Sequence, residues 1–152
     1  MIWKTHVAIG LAVALYFSTQ VTKPLIFIPI VLFSSFFPDV DSGFSYIGRK
    51  KIAAPIQAIT EHRGIIHSYT AAIILSFIIA FFYPFFALPF FVGYSFHLFA
   101  DSFTVQGIRP FWPLKGVSKG IVITGGKMDK VIFYTFVLVD LILLGTMAYG
   151  LI

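Results

Sequence analysis

No cysteine occurs among the 152 residues, and only 11% of them are charged. The first absence excludes disulfide staples and thiolate metal ligands together, so any transition-metal site has to be built from imidazole and carboxylate. The second excludes an ordinary water-facing surface, since globular chains carry about a quarter charged residues. Here 59% of residues are apolar, 19 of them Phe, and the mean hydropathy is +0.94. That is the composition of an integral membrane protein, with a length suited to one domain over residues 1–152. Internal repeats are also absent. No small-residue cleavage pattern precedes Lys23, so the first apolar run is expected to be a retained helix rather than a cleaved leader.

Five apolar segments are present: about Thr5–Val21, Pro24–Phe37, Ile65–Tyr83, Phe85–Ala100 and Val131–Ile152. A bilayer span needs ~20 residues, so the last crosses comfortably and the second only with local thinning or burial of its polar end. The expected fold is all-α and membrane-integral, with about five transmembrane helices. Pro24 and Pro84 suit the first turn of a helix after a tight connection. Two connections, Asp39–Glu61 and Ser102–Lys130, are long and basic. Within the second, Ile121-Val122-Ile123-Thr124 reads either as a short strand or as a segment lying on the membrane surface.

If the chain crosses five times, the N-terminal face and both long loops share Lys4, Arg49, Lys50, Lys51, Arg63, Arg109, Lys115, Lys119, Lys127 and Lys130, against Lys23 alone opposite. That asymmetry predicts a cytoplasmic N-terminus and cytoplasmic long loops. It also accounts for the net charge of +5 through topology, with anionic lipid headgroups as additional partners and no nucleic acid expected.

The same weave sorts the scarce acids and histidines. Six Asp or Glu accompany four His, and eight of these ten fall at segment ends on the predicted cytoplasmic side: His6, Asp39, Asp41, Glu61, His62, His67, His97 and Asp101. Had the number of crossings between two motifs differed by one, the bilayer would separate them. His97 and Asp101, four apart, share one helix face, where they either hold a metal or hydrogen-bond one another. Asp39 and Asp41 follow a proline at a helix end, where they reach one cation or close an Asx turn. His62 and His67 can both be ligands if their helix begins between them, near Gly64. Arg63 suits an anionic oxygen or merely sets topology. Glu61 is a candidate general base or a solvated loop carboxylate. Thr5 is expected to cap the first helix, leaving His6 in its first turn, where the dipole favours the neutral imidazole. Taken together, the grouping points to a divalent metal, most simply Zn²⁺, with Mn²⁺ or Fe²⁺ also matching the donors. Seven candidate ligands exceed one catalytic zinc, so one or two ions are expected, as in two-metal phosphoester hydrolysis. Asp140 stands apart in the last helix, where it is expected to bond a Ser, Thr or Tyr of another helix.

Thr5-His6-Val7-Ala8-Ile9-Gly10, Phe37-Pro38-Asp39-Val40-Asp41-Ser42, His62-Arg63-Gly64-Ile65-Ile66-His67-Ser68 and His97-Leu98-Phe99-Ala100-Asp101 occur in that order. With Thr104-Val105-Gln106-Gly107 and Phe111-Trp112-Pro113-Leu114, they resemble the YdjM family, described as inner-membrane metal-dependent hydrolases. The resemblance runs from about Trp3 to Leu114, and the last helix does not contribute to it. It implies a cytoplasm-facing site in the inner membrane with His6, Asp39, His62, His67, His97 and Asp101 as metal ligands. The motif order is also loosely similar to zinc-dependent phospholipase C, but no His follows His97 to supply that family's later ligands.

The expected function is therefore a membrane-embedded hydrolase cleaving a lipid phosphoester by metal-activated water. Arg63 would bind the phosphoryl oxygens, and Asp41 or Glu61 would move the proton. Membrane lipids are the expected partners. A metal or ion transporter is the alternative from a second class, and a membrane protein with a purely structural metal is a third.

Overall fold

A computed structural model describes residues 1–39 and 65–150. Among them are five α-helices and no strand: α1 (Trp3–Ser18), α2 (Pro24–Phe36), α3 (Tyr69–Phe82), α4 (Pro84–Ser102) and α5 (Lys127–Ala148). A short 3₁₀ turn, Phe37–Asp39, extends α2. Pro24 and Pro84 both occupy first-turn positions, where a missing N–H costs nothing.

One described helix, α5, is long and apolar enough by itself to cross a membrane. The others are shorter. The 13 residues of α2 and 14 of α3 rise roughly 20 Å each, against a hydrocarbon core of ~30 Å.

The helices run alternately up and down. Residues at the start of α1, the end of α2, the approach to α3 and the end of α4 all converge in one cluster. The first turn of α5 joins them, because Asp129 bonds Thr5. Packing contacts link α2 to both α1 and α4, with α5 against α1 and α3 against α4.

Close approach in the centre depends on small residues, the usual means of helix association where lipid removes the hydrophobic drive. A Cβ on Gly93 would strike Ser34 Oγ and the Val31 carbonyl, and one on Gly10 would strike Ser35. The buried hydroxyls are satisfied within α2 itself: Ser34 Oγ donates to Ile30 O at 2.8 Å and Ser35 Oγ to Leu32 O at 2.8 Å.

The connection between α4 and α5 is neither free loop nor strand. Two isolated bridges, Thr104 with Val122 and Ile108 with Ser118, fold it back beneath the helix ends. Its Pro110 carbonyl accepts from Tyr69 N at 2.8 Å, tying it to the start of α3.

Candidate metal centre

Each side chain of the cluster arrives from a different local device. His6 lies in the first turn of α1, whose N-cap is Ile2 rather than Thr5. Thr5 is inside the helix, and its hydroxyl is drawn away from any capping role by a buried carboxylate, Asp129 Oδ1, at 2.7 Å. Asp39 ends the 3₁₀ turn that Pro38 shapes. His67 precedes α3, because the helix starts at Tyr69. Ser68 is its cap, with Oγ accepting from Ala71 N at 3.1 Å. His97 and Asp101 sit one turn apart on α4, both buried.

The distances suit a shared cation. One ligand atom from each of Asp39, His67, His97 and Asp101 lies within 4.8 Å of every other. His67 Nε2 is 3.4 Å and His97 Nε2 3.9 Å from Asp39 Oδ1, and His97 Nε2 is 3.8 Å from Asp101 Oδ2. Metal bonds of about 2.0–2.2 Å in a tetrahedron separate neighbouring ligand atoms by roughly 3.3–3.6 Å, so small adjustments would suffice. His6 closes the group: its ring stacks on His97 with centroids 3.9 Å apart, and its Nε2 lies 3.2 Å from Asp101 and 3.8 Å from Asp39.

The hydrogen bonding of His97 prepares it for a metal. Its Nδ1 lies 2.8 Å from the carbonyl oxygen of Ser35. A carbonyl can only accept, so Nδ1 carries the proton and the neutral ring turns its Nε2 lone pair into the cluster. That Nε2, together with His6 Nδ1 and His67 Nδ1, is buried without a hydrogen-bond partner among the described residues. An unpartnered buried acceptor is costly unless something binds it.

Charge gives a second reason for a cation. Asp39 and Asp101 bring two carboxylates into one largely buried space. Beyond the end of α2, burial pushes the Asp39 carboxyl upward, but the opposing contributions, led by the His67 hydrogen bond, outweigh it and hold the group below its usual range. Asp39 is therefore ionised at neutral pH. The Met1 amino group also donates to Asp101 Oδ1, but it supplies a single positive charge. The donor set of imidazole and carboxylate without thiolate fits zinc and related divalent ions.

Of the residues singled out in the sequence, His6, Asp39, His67, His97 and Asp101 are brought together. His62, Asp41, Glu61 and Arg63 lie outside the described residues. Two participants had not been singled out. The Met1 amine is one. The other is Asp129, fully buried, which accepts from Thr5 Oγ1, from Ile2 N at 3.0 Å and from Gly125 N at 2.7 Å. An acid in the first turn of a largely apolar helix was the available signal. Asp140 follows eleven residues later, about three turns on. These two acids are the buried positions of α5. The bond to Asp140 expected from a hydroxyl is missing at Oδ1, which has no partner among the described residues.

Comparison with known proteins agrees with the motifs and extends them. The family model described as YdjM inner membrane protein matches residues 1–151. The match therefore includes the last helix, beyond the Trp3–Leu114 stretch that carries the motifs. No curated protein and no solved structure matches the chain. With nearly its whole length covered, the chain belongs to the YdjM family of inner membrane proteins.

Proposed function

We propose that this protein is a membrane-embedded, metal-dependent hydrolase acting on a phosphoester of a lipid or lipid-linked substrate. The bundle would cross the inner membrane five times, with the short helices accommodated by bilayer thinning and the cluster at the cytoplasmic face. That orientation draws on the excess of basic residues at the end of the bundle that carries the cluster. The observation that carries the reading is His97, whose Nδ1–H donates to the Ser35 carbonyl and leaves the Nε2 lone pair facing two carboxylates.

Asp39, His67, His97 and Asp101 would hold one divalent ion, most simply Zn²⁺, and His6 with His62 would complete or extend the set to a second. Such ions lower the pKa of water towards neutrality and polarise phosphoryl oxygens. The chain's own residues would do the rest. Arg63 would orient the phosphate through paired N–H donors, and Asp41 or Glu61 would accept the proton of the attacking water and return it to the leaving oxygen. Lipid is the favoured substrate class because the cluster lies at the helix ends, where headgroups are met before soluble molecules.

Elemental analysis of the purified protein should find one or two divalent ions per chain. His97→Ala should lose bound metal and reduce hydrolysis of lipid phosphomonoesters and phosphodiesters to background. Unchanged metal content and unchanged turnover in that variant would remove the proposal.

A structural clamp is the second reading, favoured by the fact that the ligands come from different elements. In that case chelation would lower the melting temperature while no phosphoester was turned over. Transport is less well supported, because transporter sites sit near the midplane on broken helices. Metal flux into proteoliposomes abolished by Asp140→Asn would restore it.

A further inference from the structure

The segment joining α4 to α5 presents an unusual surface. Backbone hydrogen bonds hold it firmly: Val105 N to Val122 O and Val122 N to Phe103 O at 2.9 Å, Gly120 N to Thr104 O at 3.0 Å, and a reciprocal 2.9 Å pair between Ile108 and Ser118. Locally extended backbone alternates its side chains between two faces. Val122 is accordingly buried with Thr104 and Ile108, while its neighbours Ile121 and Ile123 are 80% and 66% exposed. Phe103, Val105, Phe111, Leu114 and Val117 are exposed as well. An apolar patch of this kind marks an interaction surface.

Charge specifies the partner. Residues 102–130 contain Arg109, Lys115, Lys119, Lys127 and Lys130, and a single acid, Asp129. That acid is buried and bonded to Thr5, Ile2 and Gly125, so the charge presented outward is positive. With α5, the helix long enough to span, taken as crossing the bilayer, the segment that leads directly into it falls at the interface, where Phe103 packs edge-on to Phe99 of α4 with centroids 5.0 Å apart. Apolar side chains interleaved with lysines at this depth match acyl chains below and anionic phosphates above.

We infer that residues 103–128 form an in-plane platform on an anionic lipid surface, with Ile121 and Ile123 in the acyl boundary and Lys115, Lys119 and Lys127, helped by Lys130, on the lipid phosphates. The inference rests on the bundle lying in a membrane. It does not depend on the metal or on any reaction.

Because the chain has no cysteine, Ile121→Cys and Ile123→Cys can each carry a single nitroxide. In vesicles of phosphatidylglycerol and phosphatidylethanolamine, both labels should favour oxygen over a water-soluble nickel complex, as a label at lipid-facing Leu141 does. Neither should behave like a label at exposed Gln20. Combining Lys115→Gln, Lys119→Gln, Lys127→Gln and Lys130→Gln should move both labels towards water and abolish their dependence on phosphatidylglycerol. Labels at 121 and 123 that read as aqueous would overturn the inference. So would immersion that is equal in phosphatidylcholine and unaffected by the lysine changes. Short label-to-label distances between chains would overturn it in favour of a second copy as the occupant. Failure of phosphoester hydrolysis would leave all of these readings unaffected.

Discussion

At the residue scale, a backbone carbonyl decides the chemistry of a histidine on another helix. Ser35 O fixes the tautomer of His97, and the stacked His6 ring holds its plane. A comparable supporting role falls to Asp129. Its three donors bind together the approach to α1, Thr5 beside His6, and the turn before α5. Replacing the carboxylate with an amide would point N–H groups at donors that already need an acceptor. Asp129→Asn is therefore expected to weaken Co²⁺ or Zn²⁺ binding by about 10–100-fold, the usual cost of losing such a supporting contact. It should also alter the visible absorption of the Co²⁺ form, since the geometry of His6 relaxes. Thr5→Ser, which keeps the hydroxyl, should bind metal normally, whereas Thr5→Val should not. Wild-type affinity and spectrum in Asp129→Asn would show that His6 is held by other means.

At the element scale, the position of His97 depends on how closely α4 approaches α2. Gly93, one turn before His97, lies against the Val31 backbone. Alanine favours a helix by about 1 kcal/mol over glycine, but here its methyl would meet a carbonyl that cannot rotate away, and overpacking costs about 1–3 kcal/mol. The steric cost should win. Gly93→Ala is expected to lower the melting temperature in detergent and to reduce metal affinity, since α4 must move off α2. Gly145→Ala on α5, with nothing within 4 Å of the new methyl, should not lower it. Equal behaviour of the two variants would show that the α2–α4 contact is not tight.

At the scale of the whole molecule, the up-and-down course of five helices collects chemistry at one end of the bundle. In the five-crossing arrangement proposed above, residues 23 and 119 lie on opposite sides of the membrane. Single cysteines at Lys23 and Lys119 should therefore be labelled by a membrane-impermeant maleimide from opposite faces of sealed vesicles, with 119 reached from the cytoplasmic side. Labelling of both from one side would break the weave.

Much of this arrangement was legible in the residues. Proline and apolar run length delimit the helices to within a few positions, because proline fits the first turn of a helix better than its interior and a buried apolar run must satisfy its backbone polar groups internally. Alternation of helix direction is enough to bring His6, Asp39, His67, His97 and Asp101 to one end. What residue spacing could not supply was contact between elements distant in the chain. Thr5 looks like a cap until a carboxylate 124 residues away takes its hydroxyl. Asp129 looks like a helix-dipole acid, and Ser35 offers a carbonyl like any other in α2. Periodicity and propensity act over a few residues, so composition and pattern determined the membrane class, the helices and the candidate ligands. Which lone pairs face one another depends on helices packing within ångströms across long separations, and only the tertiary structure decided that.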